Sequence, residues 1–208
     1  NWKNNYQTNI GFNFAPIEYS NFALRGGPRL RQSPWVSFWN NISTDYRKKL
    51  RFSFFHNGRR ALDNSIKNYY MEGGFAYQPI NALRISVFPS LDINHDKLQF
   101  IDNFDDVNGS PRYLNGKIDQ RTLSMSVRLN YTINPNLTIQ YWGQPFISRG
   151  RYSNFKHITD PVAKVFEDRF VQYSAEQTTL SDGTYAIDED LDGVTDFSFD
   201  NPDFSFVQ

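Results

Sequence analysis

Cysteine is absent from this chain of 208 residues, which excludes disulfide staples and thiolate metal sites and agrees with export through an oxidising compartment. An excess of either charge is absent too. The 22 basic residues are balanced by 22 acidic ones, and a nucleic-acid binder usually shows a basic surplus, so nucleic acid is not an expected partner. No stretch approaches the roughly 18 continuous apolar residues of a helical membrane span. A nucleophile elbow, a phosphate loop and a paired-histidine metal motif are all missing, so nothing marks the chain as an enzyme. The three histidines, His56, His95 and His157, lack the short spacing of a shared metal site and read as isolated loop residues. Asn1 opens directly into strand-like sequence without a charged n-region or an apolar h-region, which implies a removed signal peptide or a fragment.

What the chain does have is aromatic residues, 17% of it, inside a hydrophilic whole of mean hydropathy −0.62. A membrane β-barrel reconciles the two, because half of each strand faces lipid and half faces a polar interior. The clearest stretch is Thr122 to Phe146. Leu123, Met125, Val127, Leu129, Tyr131 and Ile133 alternate with Thr122, Ser124, Ser126, Arg128, Asn130 and Thr132, the period of a two-faced strand. After the turn Asn134-Pro135-Asn136 the alternation resumes with Leu137, Ile139 and Tyr141. Both arms reach the roughly 9 to 11 residues of a tilted transmembrane strand.

The same reading along the chain yields about eight strands. Short turns near 44–45, 79–81 and 134–136 alternate with long connections at 15–33, 57–67, 95–118 and 148–195. That order is the pattern of outer-membrane barrels, with short periplasmic turns and long extracellular loops. The expectation is therefore an all-β, antiparallel transmembrane β-barrel over residues 1–208, part of a larger barrel because the last strand, near Asp196–Phe206, is weak. Tyr69, Tyr70, Trp39, Trp2 and Tyr113 lie near expected strand ends and fit aromatic girdles.

Several motifs carry a resemblance. Leu24-Arg25-Gly26-Gly27-Pro28, Ser43-Thr44-Asp45-Tyr46-Arg47-Lys48-Lys49, and above all Tyr141-Trp142-Gly143-Gln144-Pro145-Phe146-Ile147-Ser148-Arg149-Gly150-Arg151-Tyr152 resemble a Bacteroidota-type outer-membrane family. Its members join an N-terminal module like family-9 carbohydrate-binding modules to a C-terminal β-barrel region of unassigned function. The resemblance implies an outer-membrane location and brings no catalytic residues.

Two constellations carry chemistry. Asp188, Asp190, Asp192 and Asp196 surround Gly193 with the spacing of the first part of a calcium loop, hard oxygen ligands for a hard cation. Position 12 is Phe199 instead of the bidentate Glu, so Asp200 or Asp182 would have to complete the shell; an acidic solvated loop is the plainer alternative. Arg47, Arg51, Arg84 and Arg128 fall on the inward phase, with Arg121, and suggest a basic lumen, or a static network paired with Asp92 and Asp119.

The function expected from these residues is a non-enzymatic outer-membrane anchor or component of a cell-surface assembly, with the lipid bilayer, and surface proteins or glycans, as partners. A carbohydrate-linked hydrolase or glycan-binding protein whose active module lies outside these residues is the second reading. A soluble β-sandwich binding domain is the third.

Overall fold

Alternating apolar and polar residues, few helix formers in sequence and frequent turn residues dictate strands, and the computed structural model, which describes residues 4–105 and 109–208, is built of little else. In chain order the strands are β1 (Gln7–Ala15), β2 (Glu18–Ser20), β3 (Leu30–Gln32), β4 (Trp35–Ser43), β5 (Leu50–Ala61), β6 (Ile66–Ile80), β7 (Leu83–Asp105) and β8 (Pro111–Asn134). They continue with β9 (Leu137–Gly143), β10 (Phe146–Ile158), a single 3-10 turn at Glu167–Arg169, then β11 (Phe170–Gln172), β12 (Thr178–Ser181), β13 (Thr184–Ile187), β14 (Phe197–Asp200) and β15 (Phe204–Val207). No helix of the described residues is long and apolar enough to cross a membrane.

One antiparallel sheet of ten strands dominates, in the order β1-β4-β5-β6-β7-β8-β10-β11, with β9 on β8 and β15 on β10. β9 and β10 are two halves of one course along β8, interrupted at Gln144-Pro145, where proline has no N–H to give the ladder. The barrel expected from the sequence is not closed: β1 pairs only with β4, and the far edge of β9, β15 and β11 does not meet it. What stands is the coarser architecture, all-β and antiparallel. Closure would need a strand bonding both edges, and β15 holds only Ile147–Gly150.

Register is continuous, so side chains line up in rows across the sheet. One face carries Phe52–Phe75–Val87–Val127 and, beside it, Leu50–Tyr77–Ile85–Leu129–Tyr141. Offset by one residue, the other carries Trp39–Asn57–Tyr70–Asp92–Thr122–Ser148. The apolar rows are open. Phe12 is 67% exposed, Leu123 56% and Ile139 47%, and no second layer of described residues covers them. On β1, Gly11 leaves the space that the Trp39 indole fills; a Cβ there would come within 2.2 Å of the ring.

The buried core lies instead where β7, β8 and β10 overrun this two-faced region. There the long connections fold down as a head. Leu114, Phe155, Tyr173, Ile187 and Phe199 form one cluster under the β12–β13–β14 sheet, and Leu24, Leu30 and Ile158 a second beneath the β2–β3 hairpin. Register shifts at Asp96/Gln99, Phe100/Asp102 and Ser153/Lys156 mark the passage into the head. Such bulges increase local twist and re-aim side chains.

Two expected long connections prove to be mostly strand. Residues 57–61 continue β5 and 66–67 open β6, so that connection shrinks to Leu62–Ser65; 95–118 belongs largely to β7 and β8. β10 likewise runs on through Ile158, and the acidic stretch is not one structureless loop. The reason is physical: a strand that no longer needs an apolar face loses its hydrophobic period but keeps its ladder, as in the pairs Asn57↔Tyr70 and Arg59↔Asn68. Of the aromatic girdle, Tyr69 lies on the apolar face, Trp39 and Tyr70 on the polar face, and Tyr113 packs in the head. Trp2 lies outside the described residues.

Candidate functional site

The polar face is hollowed. A depression of about 470 Å³ is lined by Asn68, Tyr70, Ser90, Asp92, Asn94, Gln120, Thr122 and Ser124, and another of about 410 Å³ by Glu72, Arg84, Ser86, Ser126, Arg128 and Asn130. Hydroxyls and amides link strand to strand: Ser90 and Ser124 share a hydrogen bond of 2.7 Å, Thr122 and Ser148 one of 2.8 Å, and Tyr70 donates to Glu72 Oε2 at 2.8 Å. Such a surface interleaves neutral donors and acceptors with a few charges of both signs, Glu72, Arg84, Asp92 and Arg128.

The arginines of the expected basic lumen separate. Arg51, Arg84 and Arg128 share the polar face, where Arg51 donates to Gln78 Oε1 at 3.1 Å. Arg47 does not; it sits in the turn between β4 and β5, clasped by the Asp45 carboxylate at 2.9 Å. That guanidinium, with the Arg47 backbone N–H, holds the Asp45 carboxyl down at about 2. Arg121 lies on the apolar face, opposite Ile93 and Arg149, because it is one residue out of phase with Thr122. Asp119 holds His95 and Lys117 on that same apolar face and pairs with none of the polar-face arginines.

The acidic stretch is partly convergent. Carboxylate oxygens of Asp188, Asp190 and Asp196 lie within 4.8 Å of one another. Backbone donors orient them: Gly193 N–H bonds Asp188 Oδ2 at 2.9 Å and Glu189 N–H bonds Asp196 Oδ2 at 2.6 Å, while Asp188 Oδ1 is buried without a partner. Leu191 and Gly193 both take positive φ, 61° and 89°, to turn the chain this tightly. Asp192 is not in the group; its Oδ1 accepts from Val194 N–H at 2.7 Å. Asp182 and Asp200 lie toward the other end of the β12–β13–β14 sheet, where Ser181 pairs Thr184 and Thr184 pairs Asp200, so neither completes the shell. Phe199, at the position of the missing glutamate, is buried in the head core.

Sequence reasoning missed a polar network inside the head. His157 Nδ1 meets the Tyr173 hydroxyl at 2.8 Å, Tyr173 donates to Glu189 Oε1 at 2.6 Å, and Arg112 lies 3.4 Å from Glu189 Oε2. Burial, with the neighbouring Arg112, lowers the pKa of His157; burial and the Glu189 hydrogen bond raise that of Tyr173 well above its usual range. The network ties β8, β10 and the segment after β11 to the residue beside Asp188. The second missed group is Arg169, 3% exposed, which donates to Ala163 O at 3.0 Å and to Arg31 O and Ser33 Oγ, each at 3.2 Å. Ser33 in turn donates to Asp63. Nothing in the local sequence marks either set, since the partners are far apart along the chain. His56 and His95 lie elsewhere on the outer face, so the histidines form no common site.

Fold and faces thus define an all-β antiparallel protein with a two-faced sheet and a folded head. The chain belongs to the family described as a domain of unknown function, DUF5916, whose model matches residues 1–186. No curated protein and no solved structure matches it.

Proposed function

We propose that this chain is the wall of an outer-membrane β-barrel, a non-enzymatic anchor or component of a cell-surface assembly whose head stands outside the membrane. One observation carries the reading: a continuous field of exposed leucine, isoleucine, valine and aromatic side chains on one face, opposite a hollowed face of serine, asparagine, glutamine and threonine. An uncovered apolar field of this extent is untenable in water, whereas hydrocarbon solvates it. The sheet supplies every condition of a barrel wall but closure, which further strands or a second chain would provide. The resemblance to a Bacteroidota-type outer-membrane family points the same way. In this reading Arg51, Arg84 and Arg128 face the lumen, and Asp188, Asp190 and Asp196 form a calcium site that orders the head.

The amide- and hydroxyl-rich lining of the hollow of about 470 Å³, with Asp92 as its one acid and Tyr70 beside it, favours a second reading in which the lumen takes a polar solute such as a glycan, in keeping with a carbohydrate-linked surface protein. The soluble sandwich requires a second layer over Leu123, Val127, Leu137 and Ile139, and no described residue supplies one. Membrane fractionation of cells expressing the full-length protein tests the proposal. The expected result is a detergent-extractable outer-membrane band that shifts on boiling in gel electrophoresis; recovery in the aqueous fraction as a folded monomer overturns it.

A further inference from the structure

The apolar face ends abruptly on the side of the head. Its uppermost apolar row, Met71–Leu91–Leu123–Ile147, is followed by Tyr69–Ile93–Arg121–Arg149 and then by Arg60–Lys67–His95–Asp119–Arg151. All these side chains share one face, because the register is unbroken through them. The opposite margin, beside the short turns, is different: Tyr77, Tyr131 and Tyr141 stand there among Leu83, Ile139 and Leu137. One border of the apolar field carries opposed arginines; the other carries tyrosines, with Arg47, Lys48 and Lys49 in the turn beyond them.

Two features of the arginine border are unusual. Arg121 and Arg149 are directly opposite across β8 and β10, a juxtaposition that brings Cβ atoms to about 5 Å and destabilises a sheet when the charges are alike. Both are exposed, and neither forms a hydrogen bond, ion pair or ring contact among the described residues; the same holds for Arg151, one row further on. Of the carboxylates there, Asp119 is already engaged by His95 and by Lys117 at 2.7 Å, and Asp203, beside Arg151, accepts from the Tyr152 N–H at 2.6 Å. Arg60, Lys67, Lys117, Arg121, Arg149 and Arg151 therefore crowd this face around two engaged acids, at the edge of a surface that an apolar medium suits.

We infer that Arg121 and Arg149, flanked by Arg151, form a binding site for the phosphate of a lipid headgroup in the leaflet on the head side of the membrane. The inference rests on the barrel-wall reading. Two guanidinium forks on adjacent strands fit a phosphate by paired N–H···O bonds, and the anion turns their mutual repulsion into attraction. Leu123, Ile147 and Leu91 in the next row give the acyl chains an apolar bed, so a phospholipid or phosphorylated glycolipid gains contacts that a free anion cannot. On the tyrosine border no two guanidinium forks stand opposite one another, and Arg47, in the turn beside it, is taken up by Asp45. The two leaflets would thus be met by different chemistry, and the protein would favour the anionic one on the head side.

The test uses the full-length protein in nanodiscs, as wild type, R121Q/R149Q and R121K/R149K, offered bisphosphorylated lipid A, its dephosphorylated form, and inorganic phosphate. Retained lipid is counted by native mass spectrometry. Expected are retention of lipid A by the wild type, at least tenfold loss in the Gln pair, partial retention in the Lys pair, no retention of the dephosphorylated lipid, and no displacement by millimolar inorganic phosphate. Equal retention by wild type and the Gln pair, both heat-modifiable and folded, overturns the lipid site alone. Displacement by inorganic phosphate also overturns it, marking a free-anion site. A wild type that stays folded in buffer and never enters a nanodisc overturns the barrel reading itself.

Discussion

Replacing Val127 by arginine asks the two-faced sheet which face meets hydrocarbon. From Leu123 to Ile133 the strand advances about 34 Å at ~3.4 Å per residue, and a tilt of about 35–45° reduces this to ~24–28 Å, the height of a barrel's apolar band. Val127 lies near its middle, in the row with Phe52, Phe75 and Val87. An arginine on the lipid face at the midplane costs about 2–4 kcal/mol, roughly 30- to 1000-fold in the folding equilibrium. Ser126, one residue away, borders the depression of about 410 Å³ that also holds Glu72, so Ser126→Arg has both room and a carboxylate within the same hollow. Its effect is expected within about 1 kcal/mol. Urea titration of each variant folded into lipid vesicles, followed by the gel-mobility shift, measures both. Equal midpoints for V127R and S126R, or a larger loss for S126R, would refute the assignment of faces.

Arg169→Met leaves the carbonyls of Ala163 and Arg31 and the Ser33–Asp63 pair without their cation, and removing one partner of a buried charge network costs about 3–5 kcal/mol; limited proteolysis should then cut between β10 and β15 while the two-faced sheet stays protected. Acid should loosen the head in two stages. His157 has a lowered folded pKa, so the unfolded chain binds its proton first and stability falls as pH drops below about 6.5; His157→Gln removes this stage in amide-exchange measurements. Burial alone would raise the Asp63 carboxyl, but hydrogen bonds from Ser33 and Ser65, with Arg169 nearby, leave it lowered, so its contribution is present above about 4 and is lost as pH falls through the folded value. Buried Asp96, whose pKa is raised, acts in the opposite sense, and Asp96→Asn should steepen the acid loss. Calcium at about 10 mM, against a dissociation constant of about 10⁻⁴–10⁻³ M, should stabilise the head by ~1.4–2.7 kcal/mol, an increment that D188N abolishes and D192N, outside the carboxylate group, reduces little.

The two-faced strands were legible because successive side chains of a strand point to opposite faces, so an apolar face opposite a polar one writes a period of two into the sequence. Leu123 to Ile133 and Leu137 to Tyr141 therefore show in the sequence the faces they occupy in the sheet. Beyond the two-faced region that constraint lapses. Asn57–Ala61 and His95–Asp105 have no alternation to read, although their hydrogen-bond ladders continue, and they resembled loops for that reason. The head core escaped notice for a related cause: Leu114, Phe155, Ile187 and Phe199 are solitary apolar residues in polar surroundings, brought together only by the long connection after β10. In the acidic stretch the carboxylates of Asp188, Asp190 and Asp196 come together at the spacing the sequence shows, but spacing could not show that Asp192 turns its carboxylate onto the Val194 N–H. Phase counting failed at Arg47 because the turn extends to Lys49, and at Arg121 because the inward phase there belongs to Thr122.

β7 and β8 are bonded to one another from Leu83↔Tyr131 at the turn side to Asp105↔Pro111 in the head. At ~3.4 Å per residue, β7 alone measures about 75 Å, more than twice what a bilayer core requires. In the barrel reading such a mast runs on from the membrane into the head, turned by the bulges at Asp96/Gln99 and Phe100/Asp102 but not cut. A load on the head is then delivered as shear along the ladder, into the two-faced sheet itself.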